Sequence, residues 1–199
     1  MADLEKTGKN LEGRGFRVHR FASGAEAAEF LVQTLHGTSI GIGGSVTIDT
    51  LGVYDRLCGS NEVFWHWKNH APETRERAGK AETYLCSANG VSETGEIVNI
   101  DGFGNRVAGT IYGPERVFLV VGRNKIAPDL TGAIDRARNI AAPLNARRLN
   151  RHTPCAVGEP RCHDCRSPEK VCGVMTVFFM PPTSIKEFHV ILVDEDLGY

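Results

Sequence analysis

An unbroken apolar run, Val117–Val121, constrains the fold of this chain more than any other feature. A strand that is apolar at every position suits a sheet covered on both faces, and such sheets are mostly parallel. A short apolar run at residues 84–86 and a stretch at 96–100 that alternates towards its end precede it, and a glycine turn leads to a short helix beginning near Asn105. We therefore predict that residues 81–122 supply three strands and a helix at the centre of an α/β sheet.

The rest of the chain alternates between strand and helix patterns. Ser23, with Glu26 three residues later, has the spacing of a capping box and predicts a helix over residues 24–36. The longest helix is expected over residues 128–149, with Pro143 kinking or dividing it. Further strands are predicted at residues 16–21, 38–42, 61–69, 173–180 and 187–193, and a surface helix at 73–81. The alternation predicts a single α/β domain over residues 1–199, with a largely parallel sheet flanked by helices.

Composition and charge exclude several classes of protein. Of the 199 residues, 41% are hydrophobic and 24% are charged, as in an ordinary globular domain. The formal net charge of −1 gives no reason to expect nucleic-acid binding. The start of the chain lacks the apolar core of a signal peptide, and no apolar run is long enough to cross a bilayer. We therefore expect a cytoplasmic protein without a membrane span.

A glycine loop over residues 41–47 is predicted to join a short strand to the N-terminus of a helix. Backbone N–H groups at a helix N-terminus attract anions, so we favour contacts from this loop to a phosphate or carboxylate. The candidate residues are Gly41, Gly43, Gly44 and Ser45. In the alternative, Ser45 or Thr47 only caps the helix and the glycines only shape the turn. The loop has neither the P-loop sequence nor the full dinucleotide-binding sequence.

Polar side chains also follow the strands of the central stretch. The candidate ligand-binding residues there are Asn89, Asp101, Asn105 and Arg106. A guanidinium can bind a carboxylate through two parallel hydrogen bonds, so Arg106 is suited to a small carboxylate or phosphorylated ligand. The same side chain could instead bridge to Asp101 and hold the turn.

Glu93 is the candidate catalytic residue. A carboxylate in a glycine-bounded loop after a buried strand can serve as a nucleophile or general base. An ordinary glutamate on a surface loop gives the same sequence pattern, so both interpretations stay open.

Four of the six cysteines fall within one segment, residues 152–172, with the spacing C-x6-C-x2-C-x6-C. Proline, glycine and charged residues fill the gaps, so we predict a cysteine-rich loop that a bound metal holds together. The predicted metal ligands are Cys155, Cys162, Cys165 and Cys172. A [4Fe–4S] cluster ranks first, a zinc site second and two disulfides third. Cys58 and Cys86 are expected to be ordinary buried cysteines.

Motifs along almost the whole chain resemble the LUD domain family, named for lactate utilisation. They are Gly41-Ile42-Gly43-Gly44-Ser45, Ser87-Ala88-Asn89-Gly90, Asn99–Val107, Asn124-Lys125-Ile126, Thr153-Pro154-Cys155 and Cys162-x-Asp164-Cys165. The cysteines make the chain similar to the short, cysteine-bearing branch of that family. The resemblance implies a fold like that of the NagB/RpiA/CoA-transferase group, in which a glycine-rich loop faces a phosphate or an acyl-CoA. Ser92-Glu93-Thr94-Gly95 is also similar to the Ser-Glu-Asn-Gly motif of family I CoA transferases, with Thr in place of Asn.

The family resemblance implies a part in oxidising lactate to pyruvate, alongside iron–sulfur partner proteins. Three functional hypotheses stay open. The first is an accessory or electron-transfer component that carries a metal at the four clustered cysteines. The second is an enzyme that binds a phosphate or acyl-CoA type ligand at the Gly41–Ser45 loop and uses Glu93. The third is a non-catalytic binding module in which the cysteines hold a structural zinc.

Overall fold

The computed structural model describes residues 3–199, and a parallel sheet forms its centre. The strands are β1 (Arg17–Phe21), β2 (Ser39–Ile42), β3 (Glu62–Trp65), β4 (Thr83–Ser87), β5 (Gly90–Ser92), β6 (Ile97–Asp101), β7 (Arg116–Gly122), β8 (Ile126–Ala127), β9 (Val174–Phe178) and β10 (Glu187–Val193). The central sheet has the order β1-β10-β7-β4-β2-β3, and every pairing in it is parallel. The predicted α/β fold with a largely parallel sheet is confirmed.

The described residues also form α-helices. They are α1 (Leu4–Gly13), α2 (Gly24–Thr34), α3 (Val46–Leu51), α4 (Tyr54–Cys58), α5 (Thr74–Lys80), α6 (Asn105–Ile111), α7 (Leu130–Arg136), α8 (Ala142–Arg148) and α9 (Pro154–Val157). The predicted N-cap of α2 is confirmed, because Ser23 Oγ accepts a hydrogen bond of 3.3 Å from Glu26 N. Glu26 reaches back, accepting a hydrogen bond of 2.9 Å from Ala22 N.

The central strand β7 is buried on both of its faces, as its apolar run predicts. Val117, Leu119 and Val121 pack into one hydrophobic cluster, while Phe118 and Val120 pack into another. Because side chains alternate along a strand, these clusters lie on opposite faces of the sheet. Helices α2, α3 and α4 cover one face, and α1, α5 and the strands β5, β6 and β9 cover the other.

A second, mixed sheet was not expected from the sequence. Its order is β8-β5-β6-β9, with β5 antiparallel to β6 and parallel to β8. Strand β5 occupies residues where the sequence pattern indicates a polar loop. Strands β8 and β9 come from parts of the chain far from β5 and β6, so the local pattern carries little of the information that forms this sheet.

The long helix predicted over residues 128–149 is divided, as Pro143 predicts. Between α7 and α8 lies a π-helical turn, Ala137–Ala141, and Pro143 stands in the first turn of α8. Proline has no N–H to donate, so the regular hydrogen-bond ladder cannot continue through it.

The cysteine-rich segment contains the single helical turn α9 and, over residues 158–173, neither helix nor strand. The predicted loop is therefore confirmed. Cys86 is buried as expected, but the expectation for Cys58 is wrong, because this residue is exposed at the end of α4. Within residues 3–199, no helix combines the length and apolar character that crossing a membrane requires.

Candidate functional site

A cavity of about 840 Å³ opens at the carboxyl ends of the parallel strands. Its wall includes residues 44–47 after β2, residues 66–68 after β3, residues 87–89 after β4 and Lys125 after β7. Strands β3 and β4 lie on opposite sides of β2, so the direction of the chain across the sheet reverses here. Crevices at such switch points are where open α/β sheets bind their ligands.

The wall of this cavity is strongly basic. Its lysines and arginines are Lys68, Arg75, Arg106, Lys125, Arg148, Arg151 and Lys170. Within residues 3–199, three carboxylates, Asp49, Asp101 and Glu169, stand against these seven basic groups, in a chain whose net charge is −1. A concave surface of one sign concentrates ions of the opposite sign. The cavity is therefore suited to an anionic ligand.

The structure brings together most of the predicted ligand-binding residues. Six of the eight line the cavity: Gly44, Ser45, Asn89, Asp101, Asn105 and Arg106. Ser45 is also the N-cap of α3, since its Oγ accepts a hydrogen bond of 3.2 Å from Ile48 N. Ser45 therefore caps the helix, as one of the two alternatives predicts, and it also lies in the cavity wall.

Gly41 and Gly43 are not in that wall. A Cβ atom on Gly41 would lie 2.0 Å from the backbone oxygen of Ala78, so this glycine allows α5 to pack against β2. A Cβ atom on Gly43 would lie 3.1 Å from Arg106 Cγ and from Tyr84 Oη. Gly41 is therefore required for close packing behind the cavity, whereas a side chain at Gly43 would need its neighbours to shift slightly.

Arg106 belongs to a network that joins the loops after β4 and β6. Its Nη2 donates to Asn89 Oδ1 at 2.8 Å and to the backbone oxygen of Ile100, and its Nε lies 3.7 Å from Asp101 Oδ2. Asp101 Oδ1 in turn accepts hydrogen bonds from the N–H groups of Phe103 and Gly104. Nη1 of Arg106 donates to no residue in the described part of the chain, so one edge of the guanidinium remains available to a ligand.

Lys125 is the main residue that sequence reasoning missed. Only 2% of it is exposed, and its Nζ donates to Thr47 Oγ1 at 2.7 Å and to Ser87 Oγ at 2.8 Å. Burial, together with the positive charges of Arg136 and Arg106, lowers the pKa of Lys125 far below its usual value. The available signal was its position directly after the buried strand β7, but a lone lysine in a polar loop is usually exposed.

Arg136 supports the base of the site from α7. Its Nε donates to the backbone oxygen of Asn124 at 2.7 Å, and its Nη1 donates to that of Asn89 at 2.5 Å. The side chain therefore ties the loop after β7 to the loop after β4. Burial lowers the pKa of Arg136 to about 10, so the guanidinium stays charged at neutral pH.

Aromatic rings and cations share the rim. The guanidinium of Arg148 lies 4.5 Å from the ring of Trp67, and its Nε donates to Tyr199 Oη at 2.8 Å. Arg75 lies 4.9 Å from the ring of Phe103, a side chain that is 75% exposed. The rim therefore has aromatic rings next to guanidinium groups, so a ligand could contact both.

Glu93 lies outside this cavity. Its Oε2 accepts a hydrogen bond of 3.0 Å from Lys6 Nζ, and its Oε1 accepts one of 3.2 Å from Asp3 N. The hydrogen bond from Lys6 is the main reason why the pKa of Glu93 is lowered. The structure therefore joins Glu93 to the N-terminal helix α1 and not to the predicted ligand-binding residues.

The four clustered cysteines surround a second, small cavity of about 50 Å³. Cys162 Sγ accepts hydrogen bonds of 3.4 Å from Arg138 Nη2 and from Asp164 N, and Thr153 Oγ1 lies 3.3 Å from Cys155 Sγ. Burial raises the pKa of Cys172, and the other three thiols add to that effect. All four are free thiols, and none forms a disulfide.

The donor set of this second cavity suits a thiophilic metal, but its geometry is not that of a closed site. Four thiols that face one space are the ligands that zinc and iron–sulfur clusters take. Among residues 3–199, however, no group of three or more His, Cys, Asp or Glu side chains is arranged to hold a metal ion. Ligation would therefore require the loop to rearrange.

The two cavities share a wall. Ile100, Ala142, Lys170 and Val171 line both of them. Lys170 and Val171 come from the cysteine-rich segment itself, directly before Cys172. Any group bound at the cysteines would therefore lie next to the basic cavity.

Comparison with known proteins confirms the resemblance in the sequence. The LUD domain family matches residues 4–193. Among solved structures, the chain is similar to the crystal structure of a DUF162 family protein from Deinococcus radiodurans, with 15% identity, a TM-score of 0.56, and coverage of 96% of this chain and 95% of that chain. At this identity the likeness shows the fold alone, and no curated protein matches the sequence. Because the family match spans nearly the whole sequence, this chain belongs to the LUD domain family.

Proposed function

We propose that this LUD-domain protein binds a small carboxylate or phosphorylated ligand in the basic cavity and takes part in lactate oxidation as an accessory or electron-transfer component. Family membership supports a role related to lactate utilisation at the level of the family. The observation that carries the proposal is the basic cavity at the carboxyl ends of the sheet, with seven basic and three acidic residues in its wall. Lactate and pyruvate are both small carboxylates at neutral pH.

The side chains of the cavity have distinct parts in this proposal. The free edge of Arg106 pairs with the carboxylate, and the pairing with Asn89 fixes the plane of the guanidinium. Arg136 holds the two loops at a fixed separation from below. The remaining basic groups at the rim attract the anion before it is bound.

The cysteine-rich loop supplies the redox part of the proposal. Cys155, Cys162, Cys165 and Cys172 would hold the metal, and Arg138 donates a hydrogen bond to Cys162 Sγ at the edge of this site. A [4Fe–4S] cluster, when bound, exchanges single electrons with a redox partner. The shared wall supports placing this centre next to the ligand. Iron–sulfur proteins of lactate oxidation are the partners that this arrangement suits.

The first experiment is metal analysis and visible spectroscopy of protein purified without oxygen. We expect brown protein with iron and sulfide, bleached by dithionite. Colourless protein with stoichiometric zinc would instead make the cysteine loop structural. Protein that binds no metal under reducing conditions would contradict the redox part of the proposal.

Ligand binding is tested separately by calorimetry with lactate, pyruvate and inorganic phosphate. Replacing Arg106 with lysine keeps the charge but removes bidentate pairing, so we expect anion affinity to fall by about tenfold or more. Arg56→Lys is the matched control, because Arg56 pairs with Glu29 on the surface and lies outside both cavities. Equal losses in both variants would contradict a specific role for Arg106.

The volume of the cavity favours a second candidate, a larger phosphorylated or acyl-CoA type ligand. About 840 Å³ lies in the range of sites that enclose drug-sized molecules, well above the needs of lactate. The Trp67 and Phe103 rings offer stacking surface beside cations. In this alternative Glu93 cannot serve as the nucleophile where it stands, since it lies outside the cavity. Titration with coenzyme A and with pyruvate separates the two candidates.

A further inference from the structure

Lys125 differs from the other basic residues of the cavity in being buried, and no carboxylate within residues 3–199 pairs with it. Lys68, by contrast, is exposed and pairs with Asp49 at 3.0 Å. A lysine that only attracted anions would be equally effective at the rim, where it keeps its hydration. Burial of an amine at the base of a cavity is costly and therefore calls for a chemical explanation.

The hydrogen bonds around Lys125 show which protons it donates. Ser87 Oγ donates its only proton to the backbone oxygen of Val120 at 2.6 Å, and Thr47 Oγ1 donates its own to that of Leu197 at 3.2 Å. Both hydroxyls must therefore accept from Lys125 Nζ, at 2.7 and 2.8 Å. These two bonds use both N–H groups of a neutral amine.

An ammonium group would carry a third N–H, and no other residue in the described part of the chain accepts it. The neutral amine instead keeps its lone pair free, while Thr47, Ser87 and Lys125 all line the cavity. The lowered pKa of Lys125 agrees with this count of protons. A neutral lysine in a desolvated site is the nucleophile that attacks carbonyl groups.

We infer that Lys125 is a nucleophile that forms a Schiff base with a 2-oxo acid bound in the basic cavity. This inference rests on the proposed function, because Arg106 and the rim would hold the carboxylate while the adjacent carbonyl meets the amine. The nitrogen of Lys125 forms a bond to the carbonyl carbon, and a proton passes from nitrogen to the former carbonyl oxygen. The resulting carbinolamine loses water to give the imine, so no oxidant or reductant is needed.

The test is reductive trapping of the whole protein with pyruvate and sodium cyanoborohydride, followed by intact mass measurement and peptide mapping. We expect a mass gain equal to one pyruvic acid less one oxygen atom, located on Lys125. Acetone, which has the carbonyl but no carboxylate, is expected to give little adduct. Lys125→Arg keeps a long hydrogen-bond donor but cannot form an imine, so the adduct is lost. Lys80→Arg, an exposed lysine outside the cavity, is the matched control and retains it.

The outcomes separate this inference from the proposed function. Pyruvate binding by calorimetry without an adduct would overturn the inference and leave the proposed function standing. An adduct spread over exposed lysines would also overturn it. Absence of both binding and adduct would overturn both. If Lys125→Arg does not fold, the position of the adduct in the wild-type protein still decides.

Discussion

The basic cavity and the cysteine-rich segment are neighbours, yet they are held in different ways. The cavity is built on strand ends, with Lys125 and Arg136 buried and bonded to hydroxyls and backbone oxygens. The cysteine-rich segment has neither helix nor strand over residues 158–173. It is held by isolated contacts, such as that of Cys162 N with Asn139 Oδ1 at 2.8 Å. The comparison teaches that the basic cavity is formed by folding, whereas the cysteine-rich segment would need the proposed metal to complete a site.

The largest effect is expected from Gly41→Ala, which changes the packing of β2 against α5 behind the basic cavity. The added Cβ would lie 2.0 Å from the backbone oxygen of Ala78, so strand β2 or helix α5 must move. We expect unfolding in urea to show a loss of about 3 kcal/mol or more. Gly79→Ala on the same helix is the matched control. A Cβ there meets nothing within 4 Å, and a stabilisation of about 0.5–1 kcal/mol is expected. If the Gly41→Ala protein were as stable as the wild type, β2 and α5 would be able to move apart at little cost, which would contradict a rigid cavity.

An intermediate effect is expected when all four clustered cysteines are replaced with serine. The side chains are partly exposed and contribute little packing, so the free energy of unfolding of the metal-free protein should change by about 1 kcal/mol or less. Metal binding should be lost, while anion binding measured on metal-free protein should persist. Cys58→Ser serves as the control, since this thiol is exposed and lies outside both cavities. If the quadruple variant failed to fold, the cysteine-rich segment would be as important for folding as the basic cavity, and the contrast between the two regions would be wrong.

The smallest effect is expected from Glu93→Gln, because Glu93 belongs to neither region. The hydrogen bond from Lys6 lowers its pKa in the folded protein. The resulting stabilisation is therefore full above the unfolded pKa of about 4.3 and is lost as the pH falls through the lowered value. We expect the variant to lose about 0.3–0.5 kcal/mol at pH 7, where the pair is largely solvent-screened, and to match the wild type at the acid end. Anion affinity should not change. A large loss of affinity would bring Glu93 back as a functional residue.

Local sequence signals predicted most of the central fold. The apolar run at Val117–Val121, the cap at Ser23 and the division at Pro143 each depend on a few adjacent residues and simple geometry. The second sheet could not be predicted in this way, because β6 pairs with β9 across a long stretch of sequence. Pairing of that kind is decided by tertiary packing and not by propensity.

The residues of the candidate site also differ in how far local sequence could predict them. Asn89, Asp101, Asn105 and Arg106 were predicted because they are polar residues in the loops that follow the strands of the central stretch, and the structure brings them into one cavity. Lys125 was missed because its partners Thr47 and Ser87 stand 78 and 38 residues away in sequence. The four-residue resemblance at Ser92–Gly95 did not indicate which part of the molecule the Glu93 side chain would contact. In the structure it contacts Asp3 and Lys6 at the N-terminal helix α1.

If both cavities bind the proposed ligands, the wall that they share would link the two binding equilibria. Lys170 and Val171 face both spaces, and a Cβ on Gly102 would lie 2.7 Å from Val171 Cα, so little slack separates the segment from the sheet. A metal that shifts these two residues changes the affinity for the anion, and the anion must change the affinity for the metal by the same factor. Titrating either ligand in the presence and absence of the other therefore gives one coupling free energy, measured from two directions.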